Sequence, residues 1–238
     1  MDNATYAALT RQSGLMNELQ IVANNIANAN TTGFKAEGMM FSEFVADLGP
    51  QTESLSMAAP RIKLTDRTQG MLTQTGGTYD LAIEGDGYFL VDTPQGQRLT
   101  RAGGFTPNEN GELVTMDGNR VLDAGGAPVF VPTGAGPVGI AADGTISAGG
   151  TPVGQIGIVT PTDPAAMRRQ TGTLFEAASG FAPVARPRVL QGFAEDSNVN
   201  PIAQVSRMIE VQRAYELGQS FLDTEDSRIR GVIQAIGR

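Results

Sequence analysis

The sequence predicts an α+β chain in which N- and C-terminal helices pack together as a coiled-coil-like rod, with an extended arm and a central all-β domain between them. Near both ends, apolar residues recur at alternating intervals of three and four, the period of a helical seam. Between those ends, short apolar runs are separated by glycine turns, the pattern of a β domain. At 238 residues the chain has room for more than one compact body. The pattern divides it at residues 1–33, 34–75, 76–195 and 196–238.

The first helix runs from Asp2 toward Asn30, with Leu15, Leu19, Val22 and Ile26 at spacings of four, three and four. Asp2 is suited to cap it and no proline interrupts it. Asn30-Thr31-Thr32-Gly33 offers a polar stop, with glycine for the left-handed position after a helix. Asn24, Asn25, Asn28 and Asn30 crowd the last turns, where their amides compete for backbone groups, so packing has to supply what propensity does not.

The last helix has the clearest start in the chain: Asn200 as cap, then Pro201 at the first helical position, where a missing N–H costs nothing. Counting on by threes and fours gives Val205, Met208, Gln212, Tyr215, Gln219, Leu222, Asp226, Ile229, Ile233 and Ile236. The line Met208, Tyr215, Leu222, Ile229 and Ile236 is wholly apolar. The other line is mixed, and its polar members are placed to fix register. On this count Gln204 falls on the exposed side. Gly218 and Gly231 each cost about 1 kcal/mol relative to alanine in a helix interior, a cost that fits close approach of a neighbour or flexibility.

In the middle, the strand pattern falls on residues 79–84, 88–92, 97–101, 112–115, 129–131, 155–160 and 188–193. Asn110-Gly111, Asp117-Gly118 and Asp143-Gly144 suit two-residue hairpin turns, because both residues of each pair tolerate positive φ. Residues 34–74 fit neither period and read as the extended arm.

Composition narrows the chemistry. With neither histidine nor cysteine, the chain has no histidine-based triad, no thiolate nucleophile, no nitrogen- or sulfur-ligated zinc site and no disulfide. A net charge of −8 lacks the basic footprint of a nucleic-acid partner, and Lys35 and Lys63 are too few for an anionic membrane surface. No apolar run is long enough to span a membrane, and the N-terminus lacks a signal-peptide core, so the expectation is a soluble protein with an uncleaved start and no membrane insertion. The spelling G-x-G-x-x-G at residues 134–139 leads into Pro137 and another glycine-rich strand, which favours a loop over a nucleotide site. The Asp-Gly pairs lack the twelve-residue acidic loop of a calcium site. The sequon Asn30-Thr31-Thr32 sits at a helix end and is discounted. Glu84 and Asp86 are the nominal acid pair for glycoside chemistry, but surface carboxylates are the favoured reading, since tryptophan is absent. No catalytic residue, metal or cofactor is expected.

Residues 23–34 read ANNIANANTTGF, followed by Lys35. Residues 79–88 read YDLAIEGDGY, continuing to Leu99-Thr100-Arg101-Ala102-Gly103 and Gly111-Glu112-Leu113-Val114-Thr115. Near the end stand Ser197-Asn198-Val199-Asn200-Pro201 and, at residues 208–216, MIEVQRAYE. Together these resemble the flagellar axial family of rod, hook and hook-associated proteins over nearly the whole chain. The opening Met1-Asp2-Asn3-Ala4, Leu9-Thr10-Arg11-Gln12 and the single β domain are most similar to its basal-body rod members.

The resemblance implies a structural subunit and no enzyme. It implies a periplasmic rod, export through the flagellar type III apparatus, and helical stacking that forms a shaft transmitting torque from motor to hook. Its partners would be other copies of itself and other rod subunits. The expected assembly interface is Leu15, Leu19, Val22 and Ile26 on the first helix, with Val205, Met208, Tyr215, Leu222, Ile229, Ile233 and Ile236 on the last. The alternative is a carbohydrate-active or binding module on a β scaffold.

Overall fold

The computed structural model describes residues 2–46, 55–132, 134 and 136–236. The chain has an N-terminal helix, a mostly β middle and a C-terminal helix, the α+β class that the sequence predicts. Its described residues cluster into two compact units, one drawn from residues 1–29, 36–66 and 199–238, the other from residues 30–35 and 67–198.

The first unit holds α1 (Asp2–Ala27), β1 (Glu37–Ala46), β2 (Leu55–Thr65) and α2 (Pro201–Ile236). Helix α1 stops at Ala27, closed by Asn28, whose backbone N–H and side-chain amide both donate to Asn24 O at 3.1 and 2.9 Å. At the start of α2, Ala203 N donates to Asn200 Oδ1 at 3.1 Å, the cap that the sequence marks. Of the residues read as an extended arm, 47–54 lie outside the described residues, while Glu37–Ala46 and Leu55–Thr65 are extended but paired: β1 and β2 form an antiparallel ladder from Glu37 opposite Thr65, and both pack on α1. A register shift between Met40 and Phe41 breaks the two-residue alternation, which is why no strand pattern shows there.

The second unit begins with β3 (Leu72–Gln74), β4 (Leu81–Ile83), β5 (Tyr88–Thr93), β6 (Gly96–Thr100), β7 (Phe105–Pro107), β8 (Leu113–Thr115) and β9 (Arg120–Val121). It continues through β10 (Val138–Ile140), β11 (Thr145–Ala148), β12 (Thr151–Gln155), β13 (Ile158–Pro161) and β14 (Met167–Arg169). It ends with β15 (Leu174–Ala177), β16 (Phe181–Pro183), β17 (Val189–Gln191) and β18 (Phe193–Glu195). The largest sheet runs β14-β15-β6-β5-β9-β8-β7, with β13 joining β5 to β16, and β10-β11-β12 form a separate meander. The last strands return to the first, β17 onto β4 and β18 onto β3. Residues 72–74, which the sequence pattern places with the arm, therefore belong to the β unit.

Strand β5 explains the packing. Tyr88 and Leu90 join Leu99, Val159 and Phe175 on one face. Phe89 and Val91 join Leu81, Phe105, Leu113 and Ile146 on the other. A strand buried on both faces reads as a continuous apolar run, which is how the sequence displays it. Other runs are cut where the backbone must turn. Residues 155–160 split at Gly157, where a Cβ would lie 2.5 Å from Asp123 C, and residues 188–193 split at Gly192, with φ +74°. Residues 129–131 contribute an isolated bridge, Phe130 opposite Glu112, and not a strand.

The hairpin turns differ from the two-residue form expected of them. Gly111, Gly118 and Gly144 have φ of 81°, 82° and 85°, but no described residue other than glycine has positive φ. Each N–H instead closes a turn on Asn108 O, Thr115 O or Ala141 O at 2.9 Å, making a three-residue loop whose last member is the left-handed glycine. Asn110, Asp117 and Asp143 stay at negative φ, since only glycine escapes the Cβ penalty.

At the heart of this unit lies a buried carboxylate. Glu195 Oε1 meets Lys35 Nζ at 2.5 Å and Oε2 meets Arg101 Nη1 at 3.1 Å, with all three side chains at most 4% exposed. Lys35 Nζ also donates to Thr68 O at 2.7 Å, Arg101 Nη2 to Gly85 O at 2.6 Å, and Gly70 N to Glu195 Oε1 at 3.1 Å. Arg101 stands 5.2 Å from the Tyr88 ring centroid. Burial pushes the Tyr88 phenol above its ordinary value, against the opposing pull of Arg101. Beside the cluster, Gly33 N donates to Glu195 O at 2.7 Å. Gly33 is thus no helix cap, lying six residues beyond Ala27; its φ is +70° and a Cβ would fall 2.2 Å from Ala102 N.

Replacing Glu195 by glutamine leaves two buried cations without their carboxylate, and the β unit is expected to lose about 3–5 kcal/mol, read by urea unfolding. Gly33→Ala forces both a left-handed alanine and a backbone collision. At least about 1–2 kcal/mol of destabilisation is expected from the dihedral alone, visible as a lowered melting temperature.

Candidate assembly interface

Helices α1 and α2 touch along their length and run antiparallel, the orientation that the sequence leaves open. Asn25 Nδ2 donates to Gln204 Oε1 at 3.3 Å, Arg207 Nη2 meets Glu18 Oε1 at 2.6 Å, and Gln12 lies against Gly218. Positions fall on one helix as they rise on the other.

On α2 the covered positions are Gln204, Met208, Val211, Tyr215, Gly218, Leu222, Glu225 and Ile229, again in steps of four and three, with Ala214 beside Tyr215. The apolar line Met208, Tyr215, Leu222 and Ile229 is therefore half-buried, while the second line shifts back by one residue. Val205 and Ile233 stand 46% and 64% exposed, and Gln212, Gln219 and Asp226 are exposed as well. From an apolar line, a step of three toward either side makes an equally regular stripe. The facing polar groups of α1 decide the side, and Gln204, placed outside by the sequence count, is drawn in by Asn25. The side chain of Ile236 lies outside the described residues. Neither glycine is required by a close neighbour: a Cβ on Gly218 would make an ordinary 3.5 Å contact with Gln12 Cγ, and Gly231 has nothing within 4 Å.

On α1, Val22 is buried and Leu15, Leu19 and Ile26 are half-buried. The sequence reading missed two buried polar members, Glu18 and Asn25. Glu18 receives Arg207, whose pKa rises above its ordinary value chiefly through that hydrogen bond. Asn25 is only 1% exposed; its Nδ2 donates to Glu37 O at 2.7 Å and its Oδ1 accepts Glu37 N at 2.9 Å. One amide thus satisfies both backbone groups of the first residue of β1. The clue in the sequence was the asparagine cluster itself, since amides too costly for helix propensity need partners elsewhere.

The outside of the pair is apolar in patches. Ile202 and Leu217 are 80% and 73% exposed, and Ile209, Phe221, Leu9 and Met16 are exposed too. Between the helices opens a groove of 450 Å³ lined by Ala7, Ala8, Arg11, Leu15, Ala214, Leu217, Gly218 and Phe221.

The β unit carries a polar cleft of 380 Å³ whose lining includes Thr93, Arg98, Asp117, Asn119 and Gln170. Asp117 is the one carboxylate among the described residues that line it, short of the two acids that glycoside chemistry needs. Glu84 is paired with Arg188 at 3.0 Å and Asp86 is exposed on a turn. The G-x-G-x-x-G spelling runs into β10, a strand, where a nucleotide fingerprint needs a helix. Among the described residues no helix is long and apolar enough to cross a membrane, and no three acidic, histidine or cysteine side chains gather as a metal site.

Comparison with known proteins bears on these helices directly. The family described as flagella basal body rod protein matches residues 6–35, on α1. The flagellar hook protein FlgE/F/G D1 domain matches residues 82–148, and the flagellar basal body rod FlgEFG protein C-terminal family matches residues 190–235. The flagellar basal-body rod protein FlgF of Caulobacter vibrioides is 41% identical over 100% of this chain and 99% of its own length. The chain belongs to the flagellar basal-body rod protein family. Within that family, FlgF of Mesorhizobium japonicum is 37% identical over 100% of this chain and 99% of its own length. FlgG of Bacillus subtilis is 31% identical over 98% of each. In this rod protein the two terminal family matches fall on the two helices that pair.

Asn25→Ala is expected to cost about 1–3 kcal/mol by orphaning the Glu37 backbone groups. Amide hydrogen exchange at Glu37 should quicken, while exchange in β5 stays slow.

Proposed function

We propose that the chain is a structural subunit of the proximal flagellar rod, joined through its terminal helices to other copies of itself and to FlgG-like subunits. It works in the periplasm, reaches it through the flagellar type III apparatus, and performs no catalysis. In the rod, α1 and α2 act as a coiled-coil-like pair, and Leu15, Leu19, Val22, Ile26, Met208, Tyr215, Leu222 and Ile229 hold that pair together. Val205 and Ile233 face neighbouring subunits. Tight side-chain interlock between such pairs gives a stiff shaft able to carry torque.

The observation that carries this reading is the mixed character of the helix pair. Polar Glu18, Asn25, Gln204 and Glu225 are turned inward, while Ile202, Leu217 and Phe221 are turned out. Apolar side chains left in water gain about 1.5–3 kcal/mol each when a neighbour covers them, so the pair is more stable in an assembly than alone.

Two aspartate substitutions separate the roles. Leu217→Asp is expected to leave the unfolding free energy of the isolated chain within about 0.5 kcal/mol of the parent, yet to prevent incorporation into rods and abolish motility. Leu222→Asp, half-buried against α1, is expected to loosen the helix pair itself, seen as lost helical circular dichroism with the β unit still folded. Normal motility with Leu217→Asp incorporated at the parental level would contradict the proposal.

A further inference from the structure

The polar cleft of the β unit holds two opposite charges that the chain itself leaves without partners. Arg98 is only 8% exposed, yet no acid among the described residues pairs with it. Its Nε donates to Gln170 Oε1 at 3.0 Å and its Nη1 to Gln97 O at 2.8 Å, while Nη2 has no acceptor. That nitrogen is not sealed in the core: among the described residues, the buried side-chain atoms lacking a partner are Gln12 Nε2, Glu18 Oε2 and Arg101 Nε. The neighbouring acids are already engaged. Asp92, on the paired strand β5, takes Arg120 at 2.6 Å, and Glu176 accepts Gln170 Nε2 at 3.0 Å, a bond that turns Gln170 Oε1 toward Arg98. A guanidinium stripped of most of its water without a counter-charge is costly, so the open side of Arg98 is a place for an anionic group.

Asp117 supplies the opposite sign. In the matching turn at Asp143-Gly144 the aspartate serves its own loop, Oδ1 accepting Thr145 N at 3.0 Å, and Asp123 and Asp163 likewise accept Gly125 N at 2.8 Å and Ala165 N at 2.9 Å. At Asp117-Gly118 that role falls to Thr115, whose hydroxyl accepts Asn119 N at 3.2 Å. The Asp117 carboxylate accepts no hydrogen bond from the described residues and pairs with none of their cations, Arg98 included. Both charges line one cleft of 380 Å³, a volume at the small end of ligand sites. The Asn119 amide and the Thr171 hydroxyl also line it and make no hydrogen bond among the described residues. We propose that this cleft binds a small zwitterion, an amino acid or a short peptide, with its carboxylate on Arg98 Nη2 and its ammonium on Asp117. An anion alone would meet Asp117 as a like charge, and a cation alone would meet Arg98. A ligand carrying both signs satisfies each, and Asn119 and Thr171 serve its neutral polar body.

The test is a titration of the full chain with glycine, β-alanine and glycylglycine, whose two charges stand progressively farther apart. Proton–nitrogen NMR follows the Arg98 Nε–H and the side-chain amides of Asn119 and Gln170. At least one of the three should give saturable shifts confined to the cleft, and the tightest tells whether an amino acid or a peptide fits better. Acetate and methylammonium, with one charge each, should bind at least about tenfold more weakly than that ligand. Asp117→Asn, on an exposed turn, should weaken the zwitterion by about tenfold while acetate binds no worse. Arg98→Gln should abolish binding of both; if that buried substitution prevents folding, the parent and Asp117→Asn titrations decide. The absence of saturable shifts with all three zwitterions would overturn the proposal. So would acetate binding as tightly as the best of them, or an unchanged zwitterion affinity in Asp117→Asn.

Discussion

A carboxylate removed from water must find its counter-charges within reach, and the second unit is organised around that demand. Glu195 sits at the end of β18, Lys35 follows the segment after α1, and Arg101 follows β6. These groups are far apart in sequence, and an uncompensated buried ion would cost several kcal/mol, so the three segments come together or the unit does not form. Neighbouring contacts repeat the requirement. Gly33 approaches Ala102 too closely for a side chain, β17 and β18 return to β4 and β3, and Arg169 lies over the Phe34 and Phe175 rings at 4.2 and 4.8 Å. The points where the chain enters and leaves the β unit are thereby held side by side.

The helices answer to a different rule. In an ordinary two-helix pair the apolar stripe faces inward; here the inward positions mix Val22, Val211 and Leu222 with Glu18, Asn25 and Gln204. The polar groups pair with one another or with Glu37, while Glu18 Oε2 is buried without a hydrogen-bond partner, so they specify orientation and register more than they stabilise. The apolar surplus on the outside is what a subunit needs if its helices are to be stabilised chiefly by neighbours.

The two units also differ in how far their sequences disclose them. Glycine and asparagine pairs marked where the β unit turns, yet the turn form depended on a fact no dipeptide shows. The closing hydrogen bond from Gly111 N reaches Asn108, so the loop is one residue longer than the pair suggests. The β1–β2 hairpin was invisible because a bulge shifts its alternation midway. Conversely, the cap Asn200 and the proline after it fixed the start of α2 correctly, since a helix start is satisfied by groups only a few residues away.

By itself the sequence determined the class of the fold, the two terminal helices, the apolar line through Met208, Tyr215, Leu222 and Ile229, the run that becomes β5, and the resemblance to a family. All of these are local patterns, set by propensity, period and capping over a few turns or one strand. The tertiary structure alone decided that the helices run antiparallel, that Gln204 and not Val205 faces inward, that Asn25 serves β1, and that Lys35 and Arg101 share Glu195. Each of those depends on which distant groups arrive at the same place, and a helix face or a lone charge admits several partners until packing and the cost of burying an unpaired group leave one.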